Sequence, residues 1–192
     1  RFGVEHRKLL VDKGLNPEIL AMTATPIPRT LSITLHGDMD ISIIDELPKN
    51  RIPIKTELIT PSKINSAYQK IKNEIKAGGQ CFVVYPLIEE SEKLDLEAAD
   101  SGYKKLKKVF AEFQLGYING KMKKEEIDKQ MKLMAEGKID CLISTTVIEV
   151  GINIPNATMM LIENAERFGM TQLHQLRGRI GRGTKQSTCI MV

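Results

Sequence analysis

From Ile52 onward, apolar and polar positions alternate in blocks whose period switches between two and 3.6. IKTELIT, residues 54–60, reads as a strand ended by Pro61. Ser62 is placed to cap a helix whose apolar positions Ile64, Tyr68, Ile71 and Ile75 share one face, and Gly78-Gly79 stops it. QCFVVYPL, residues 80–87, is a compact apolar run bounded by turn signals, as expected of a strand buried on both faces. The polar stretch EESEKLDLEAADS reads as a connection, after which Leu106, Val109, Phe110 and Phe113 mark a second helix. LGYING is a short strand running into a turn, and Ile127, Met131 and Met134 mark a third helix ended by Gly137. Two further buried strands are expected at 139–145 and 157–163, a helix over 170–176, and a last strand at STCIMV. Strands alternating with helices predict an α/β fold with a mostly parallel sheet covered on both faces.

Residues 1–50 do not fit that rhythm. RFGVEHRKLLVDKG has helical character, EILAMTAT reads as a strand, PIPRTLSITLHG as a helix with proline at its start, and DISIIDELP as an extended exit. So few elements cannot close a sheet of their own. Residues 1–50 are therefore expected to be the tail of a preceding domain, KNR at 49–51 the linker, and 51–192 a domain in its own right. Unpaired apolar strands such as EILAM and ISII invite partners, so this piece is expected to pack on its own domain or to form a homodimer. A start on RFGVEHR, without Met, is expected of the interior of a longer protein.

Composition narrows the function only a little. A net charge of +4 permits nucleic acid or nucleotide phosphate as a partner without demanding either. Cys81, Cys141 and Cys189 sit in apolar runs without CxxC or Cys/His spacing, which argues for buried thiols and against a metal site. An odd cysteine count without a disulfide framework points to a reducing compartment, and the absence of a signal peptide or a long apolar run points away from a membrane. The cytoplasm is the expected location.

Three loops hold the candidate chemistry, and in a parallel sheet such loops are expected at the carboxyl ends of strands. In MTATPIPR, residues 22–29, the hydroxyls of Thr23 and Thr25 both donate and accept, so they can bridge two surfaces or simply cap a helix. In STTVIEVGINIPNAT, residues 144–158, Ser144, Thr145 and Thr146 follow a buried strand and suit phosphate oxygens. Gly151 there permits a tight bend or a close ligand approach, and Asn153 is a polar residue set between apolar ones. In QLHQLRGRIGRG, residues 172–183, a continuing helix would put Gln175, Arg179 and Arg182 on one face, with Arg177 elsewhere. Gly178 and Gly181 would leave that face bare, and guanidinium groups bind phosphate through a charged fork.

Together, the order and spacing of these loops resemble late motifs of the superfamily 2 helicases. TAT resembles motif III, STTVIEVGINIP motif V, and QLRGRIGR motif VI in its Q-x-x-G-R-x-G-R form. RFGVEHR, MTATPIPRTL, IDELPKNR, YPLIEESEKLDLEAA and IENAERFGMTQLHQLRGRIGRG are similar to the RecG family of bacterial branched-DNA helicases, and the likeness covers essentially the whole chain. That resemblance implies two RecA-like lobes with ATP between them, residues 51–192 being the second lobe and 1–50 the remnant of the first. It implies Arg182 as arginine finger with Arg179 beside it, Gln175 joining nucleotide state to closure, and Gly151 and Asn153 bordering the nucleotide. Thr145 or Thr146 would touch the DNA backbone, and Thr23 and Thr25 would couple hydrolysis to movement. Many relatives carry Asp where Asn153 stands, and HGRM where NGKM stands, so Asn119 and Lys121 depart from the family pattern.

The resemblance also implies what lies elsewhere. No G-x-x-x-x-G-K-[ST] loop occurs in the chain, so the phosphate cradle and the acid that holds Mg²⁺ are expected upstream, with the junction-gripping wedge. A hairpin coupling the motor to DNA would follow Val192. The fragment alone is accordingly expected to hydrolyse no ATP. Two other readings compete: the second lobe of a duplex-DNA translocase of transcription-coupled repair, which shares TATPIPRT and the motif VI region, and a non-enzymatic phosphate-binding module that kept the fold.

Overall fold

The structure is a computed structural model that describes residues 51–86, 92–145 and 153–192, with residues 13, 18, 20, 22, 42–44 and 46, and the backbone alone over 92–100. The chain divides into two compact units, Arg1–Ile43 and Ile44–Val192. The elements expected before residue 50 lie outside the described residues.

Among the described residues of the second unit, ten principal elements follow one another: β1 (Lys55–Leu58), α1 (Ile64–Lys76), β2 (Gln80–Val84), α2 (Glu92–Val109), β3 (Leu115–Ile118), α3 (Lys124–Ala135), β4 (Cys141–Ser144), β5 (Ala157–Ile162), α4 (Met170–Arg177) and β6 (Thr188–Met191). The strands form one sheet in the order β1-β6-β5-β2-β4-β3. Every pairing is parallel, as strands linked by helical crossovers must be. This is the RecA-like architecture expected, with β2 at the centre and the chain moving first to one side of it and then to the other.

Period-two alternation sends β2 side chains to two separate cores. Cys81 and Val83 join Tyr68, Ile71, Leu106 and Phe110 beneath α1 and α2. Phe82 and Val84 join Met131, Met134, Leu176 and Ile180 on the face covered by α3 and α4. The three cysteines are free and buried, as expected. Burial pushes the Cys189 thiol up to about 12, against the pull of the nearby Arg177 charge, so it stays protonated and inert.

Two local expectations need correction. Ser62 does not cap α1: Pro61–Lys63 is a 3₁₀ turn, and the Ser62 hydroxyl pairs with that of Thr60 at 2.9 Å. Nor is EKLDLEAAD a connection, since α2 already begins at Glu92. Strong helix formers fill that stretch, and acidic residues suit a helix start, so propensity overrides its polarity. Phe113 lies beyond α2, in a turn closed by its N–H on the Phe110 carbonyl at 3.0 Å. Among the described residues no helix is long and apolar enough to cross a membrane.

Candidate functional site

The arginine segment is built by a helix that stops early. Its start is ordinary: the Gln172 side chain accepts the Gly169 N–H at 3.0 Å. Leu176 and Ile180 are fully buried and anchor the segment to the core beneath α3 and α4. The helix ends at Arg177, with Gly178 as its C-cap and the Arg179 N–H turned back to the Leu176 carbonyl at 2.9 Å. The expected helical face of Gln175, Arg179 and Arg182 therefore does not form. Gln175 is half-buried on α4, Arg179 is half-buried in the turn, and Arg182 is exposed beyond it. Beyond that end, Gly181 has a φ of +70°, a left-handed conformation that suits glycine and keeps the helix from resuming.

The glycines serve close docking. A Cβ on Gly181 would stand 2.8 Å from Ile54 Cγ1, and one on Gly183 only 2.5 Å from the Pro155 carbonyl oxygen. The Gly181 N–H also reaches the Ala157 carbonyl through a long hydrogen bond of 3.4 Å. The loop thus lies flat against residues 154–157, the stretch that follows Asn153. Asn153 itself is exposed, while Ile154 is buried and closes a turn through its carbonyl on the Ala157 N–H at 3.1 Å. Gly181→Ala is expected to cost about 1–3 kcal/mol of stability through backbone strain and the Ile54 contact, measurable as a lower urea midpoint. An unchanged midpoint would show that the loop is not held this way.

All these contacts lie at the amino ends of the strands, since Ala157 opens β5 and Ile54 precedes β1. This corrects the expectation that the arginines sit at the carboxyl ends. The loop after α4 must return to the start of β6, and α4 has already carried the chain across the sheet.

Electrostatics sharpen the picture at that edge. Burial, then the charges of Arg179 and Arg51, holds the Arg182 guanidinium below the usual arginine range. A guanidinium stays charged regardless, so an anion at this edge gains from the crowding. Arg182 Nε makes one long hydrogen bond, to the Gly178 carbonyl at 3.4 Å. Arg177 turns back along α4 to His174 Nδ1 at 3.3 Å. Sequence reasoning treated Arg51 only as part of a linker. The signal that reveals it is the parallel pairing of β1 with β6, which brings the approach to β1 beside the end of the arginine loop.

Thr145 occupies the opposite edge. It directly follows β4, and its N–H donates to the Ile118 carbonyl at 3.2 Å. Its hydroxyl is buried with no hydrogen-bond partner among the described residues, a state that costs roughly 1–3 kcal/mol unless another group, a ligand or water supplies one. Nearby, Asn119 Oδ1 is engaged by the N–H groups of Lys121 and Met122, at 2.9 and 3.2 Å. Glu163, just past β5, accepts a hydrogen bond from the Tyr68 hydroxyl at 3.3 Å. Burial pushes its carboxyl above the usual range, against the lowering pull of that hydroxyl and of Lys105. Thr23, Thr25, Thr146 and Gly151 lie outside the described residues. One sheet therefore presents a cationic edge and a hydroxyl-bearing edge, separated by strands four to six residues long, roughly 13–20 Å.

Comparison with known proteins places the chain among helicases. The chain is 51% identical over 193 residues to the ATP-dependent DNA helicase RecG of Synechocystis sp., covering 100% of this chain and 23% of that protein. It is 52% identical over 193 residues to the RecG of Streptococcus pneumoniae, covering 100% of this chain and 29% of that protein. A solved structure of RecG bound to a three-way DNA junction matches with a TM-score of 0.75 and 45% identity, over 88% of this chain and 22% of that one. The chain thus spans roughly a quarter of the length of these relatives. Residues 62–184 match the helicase conserved C-terminal domain, and that stretch holds both the arginine loop and the segment it docks on, so the chain belongs to the helicase C-terminal domain family.

Proposed function

We propose that residues 51–192 are the second motor lobe of an ATP-dependent helicase that remodels branched DNA, such as stalled forks and recombination junctions, and that residues 1–50 are the remnant of the first lobe. The observation that carries this reading is the docking of the arginine loop on residues 154–157, which gathers Arg179 and Arg182 at one edge. In this reading ATP binds against that edge from a facing lobe, which also holds most of its contacts and the Mg²⁺. The cationic edge fits the anionic phosphates of ATP, and Mg²⁺ bound to them would offset part of their charge. Arg182 is the finger on the terminal phosphate and Arg179 its companion. Gly151 and Asn153 border the nucleotide, and Gln175 relays its state.

Thr145, with Thr146, takes the DNA backbone at the opposite edge, a role that suits a buried hydroxyl with no partner among the described residues. Thr23 and Thr25 couple the two events. Relatives named as ATP-dependent DNA helicases, and one solved on a three-way junction, support branched DNA as the substrate. Cytoplasmic location follows from that substrate and from the buried free thiols. Residues 1–50 also offer a homodimer contact, a reading that the exposed Leu20, Met22 and Ile43 support.

The test pairs the fragment with the intact protein. Residues 1–192 alone are expected to release no phosphate from ATP in a malachite-green assay with forked DNA, whereas the intact protein turns over. DNA-stimulated turnover by the purified fragment would refute the division of labour between lobes.

A further inference from the structure

The approach to β1 is fastened to the arginine loop on both sides. Gln186 Nε2 donates to the Pro53 carbonyl at 2.8 Å, and the Lys55 N–H donates to the Ser187 carbonyl at 2.9 Å. Between them, Ile54 fills the space over Gly181, 2.8 Å from where a Cβ would stand. Residues 53–55 therefore move with residues 181–187. Arg51 stands two positions before Pro53, half-buried, with its charge acting on Arg182.

Among the described residues no carboxylate forms an ion pair with Arg51 or Arg182. Like charges drawn together by a fold oppose folding, and a polyanion converts that opposition into binding. Arg51 also lies outside residues 62–184, so no motif within the matched family domain points to it.

We infer that Arg51 is a third phosphate-contacting guanidinium of this edge, binding the terminal phosphates of a nucleoside triphosphate beside Arg179 and Arg182. The inference rests on the nucleotide reading above and adds a residue to it. The chemistry is a charge-assisted fork on phosphate oxygens, which a lysine supplies only as a point charge. Because residues 53–55 are pinned to the loop, Arg51 keeps its place relative to Arg182 when the loop engages a ligand.

The experiment uses the intact protein with R51A, R51K and, as reference, R182A. Steady-state ATPase on forked DNA gives kcat and KM, and equilibrium binding compares ADP with ADP plus beryllium fluoride, a mimic of the triphosphate. R51A is expected to weaken binding of the fluoride complex about tenfold to a hundredfold, in keeping with one charged hydrogen bond lost. ADP affinity and melting temperature should stay near those of the native protein, and R51K should recover only part of the loss. Native affinity for the fluoride complex in R51A would overturn the inference, and so would equal losses for both ligands with a lower melting temperature. A native protein without DNA-stimulated ATPase, or an R182A protein with full activity, would instead sink the nucleotide reading beneath it.

Discussion

Replacing Arg179 and Arg182 together by alanine in the intact protein is expected to slow DNA-stimulated ATP hydrolysis by about a thousand- to a hundred-thousand-fold, or roughly 4–7 kcal/mol. The size follows from where the charges act. Phosphoryl transfer asks little covalent chemistry of the protein, so most of the acceleration comes from positioned charge meeting charge that develops on the phosphate. In the proposed reading that charge is placed in advance. Buried Leu176 and Ile180 fix the turn, and Gly181 and Gly183 let it lie against Ile54 and Pro155. Partial burial of Arg182, then the like charges of Arg179 and Arg51, disfavours its charged form, and an arriving anion would offset that. Initial rates of phosphate release, with protein folding checked in parallel, decide the matter. A folded double variant within tenfold of the native rate would leave the arginines without the role assigned to them.

Ile180→Ala is expected to cost about 2–5 kcal/mol of stability, the usual range for emptying a fully buried aliphatic site. Ile180 is fully buried, in the core cluster that also holds Leu176, Ala157 and Cys189. It also sits between the two arginines in sequence, so a cavity there loosens the turn that aims them. For a chain of this length the loss corresponds to a fall in melting temperature of roughly 5–20 °C. Thermal melts of the fragment read this directly. A fall of only a degree or two would mean that the loop is not anchored through its apolar residue.

Much of the fold was legible in the residues themselves. The runs at 80–87, 139–145 and 157–163 announced buried strands because parallel strands covered on both faces carry few polar side chains. Tyr68, Ile71 and Ile75 announced the buried stripe of α1 for the same reason of periodicity. The first half of α2 was hidden because its composition is polar, and helix propensity without an apolar stripe leaves a weak trace.

The candidate residues were legible as a group in the sequence, but their placement was not. Arg179 and Arg182 stood out by charge and glycine spacing. A helical wheel nevertheless put them on a face that does not form, because the helix ends at Arg177 and Gly181 then takes a positive φ, neither of which is written in residue periodicity. Which edge of the sheet they occupy depends on strand order, and so does the nearness of Arg51 to Arg182. Both follow from β1 pairing with β6, a contact between residues more than a hundred positions apart. Thr145 was correctly set at a strand's carboxyl end, whereas the burial of its hydroxyl, without a partner among the described residues, became visible only in the structure.

The most direct measurement is a structure of the intact protein with forked DNA and ADP plus beryllium fluoride. The account predicts the guanidiniums of Arg179 and Arg182 about 2.7–2.9 Å from the terminal group's fluorides or phosphate oxygens, at the amino ends of the strands, with DNA backbone at the Thr145 edge. Nucleotide and DNA found on the same edge, or Arg182 turned away from the nucleotide, would contradict it.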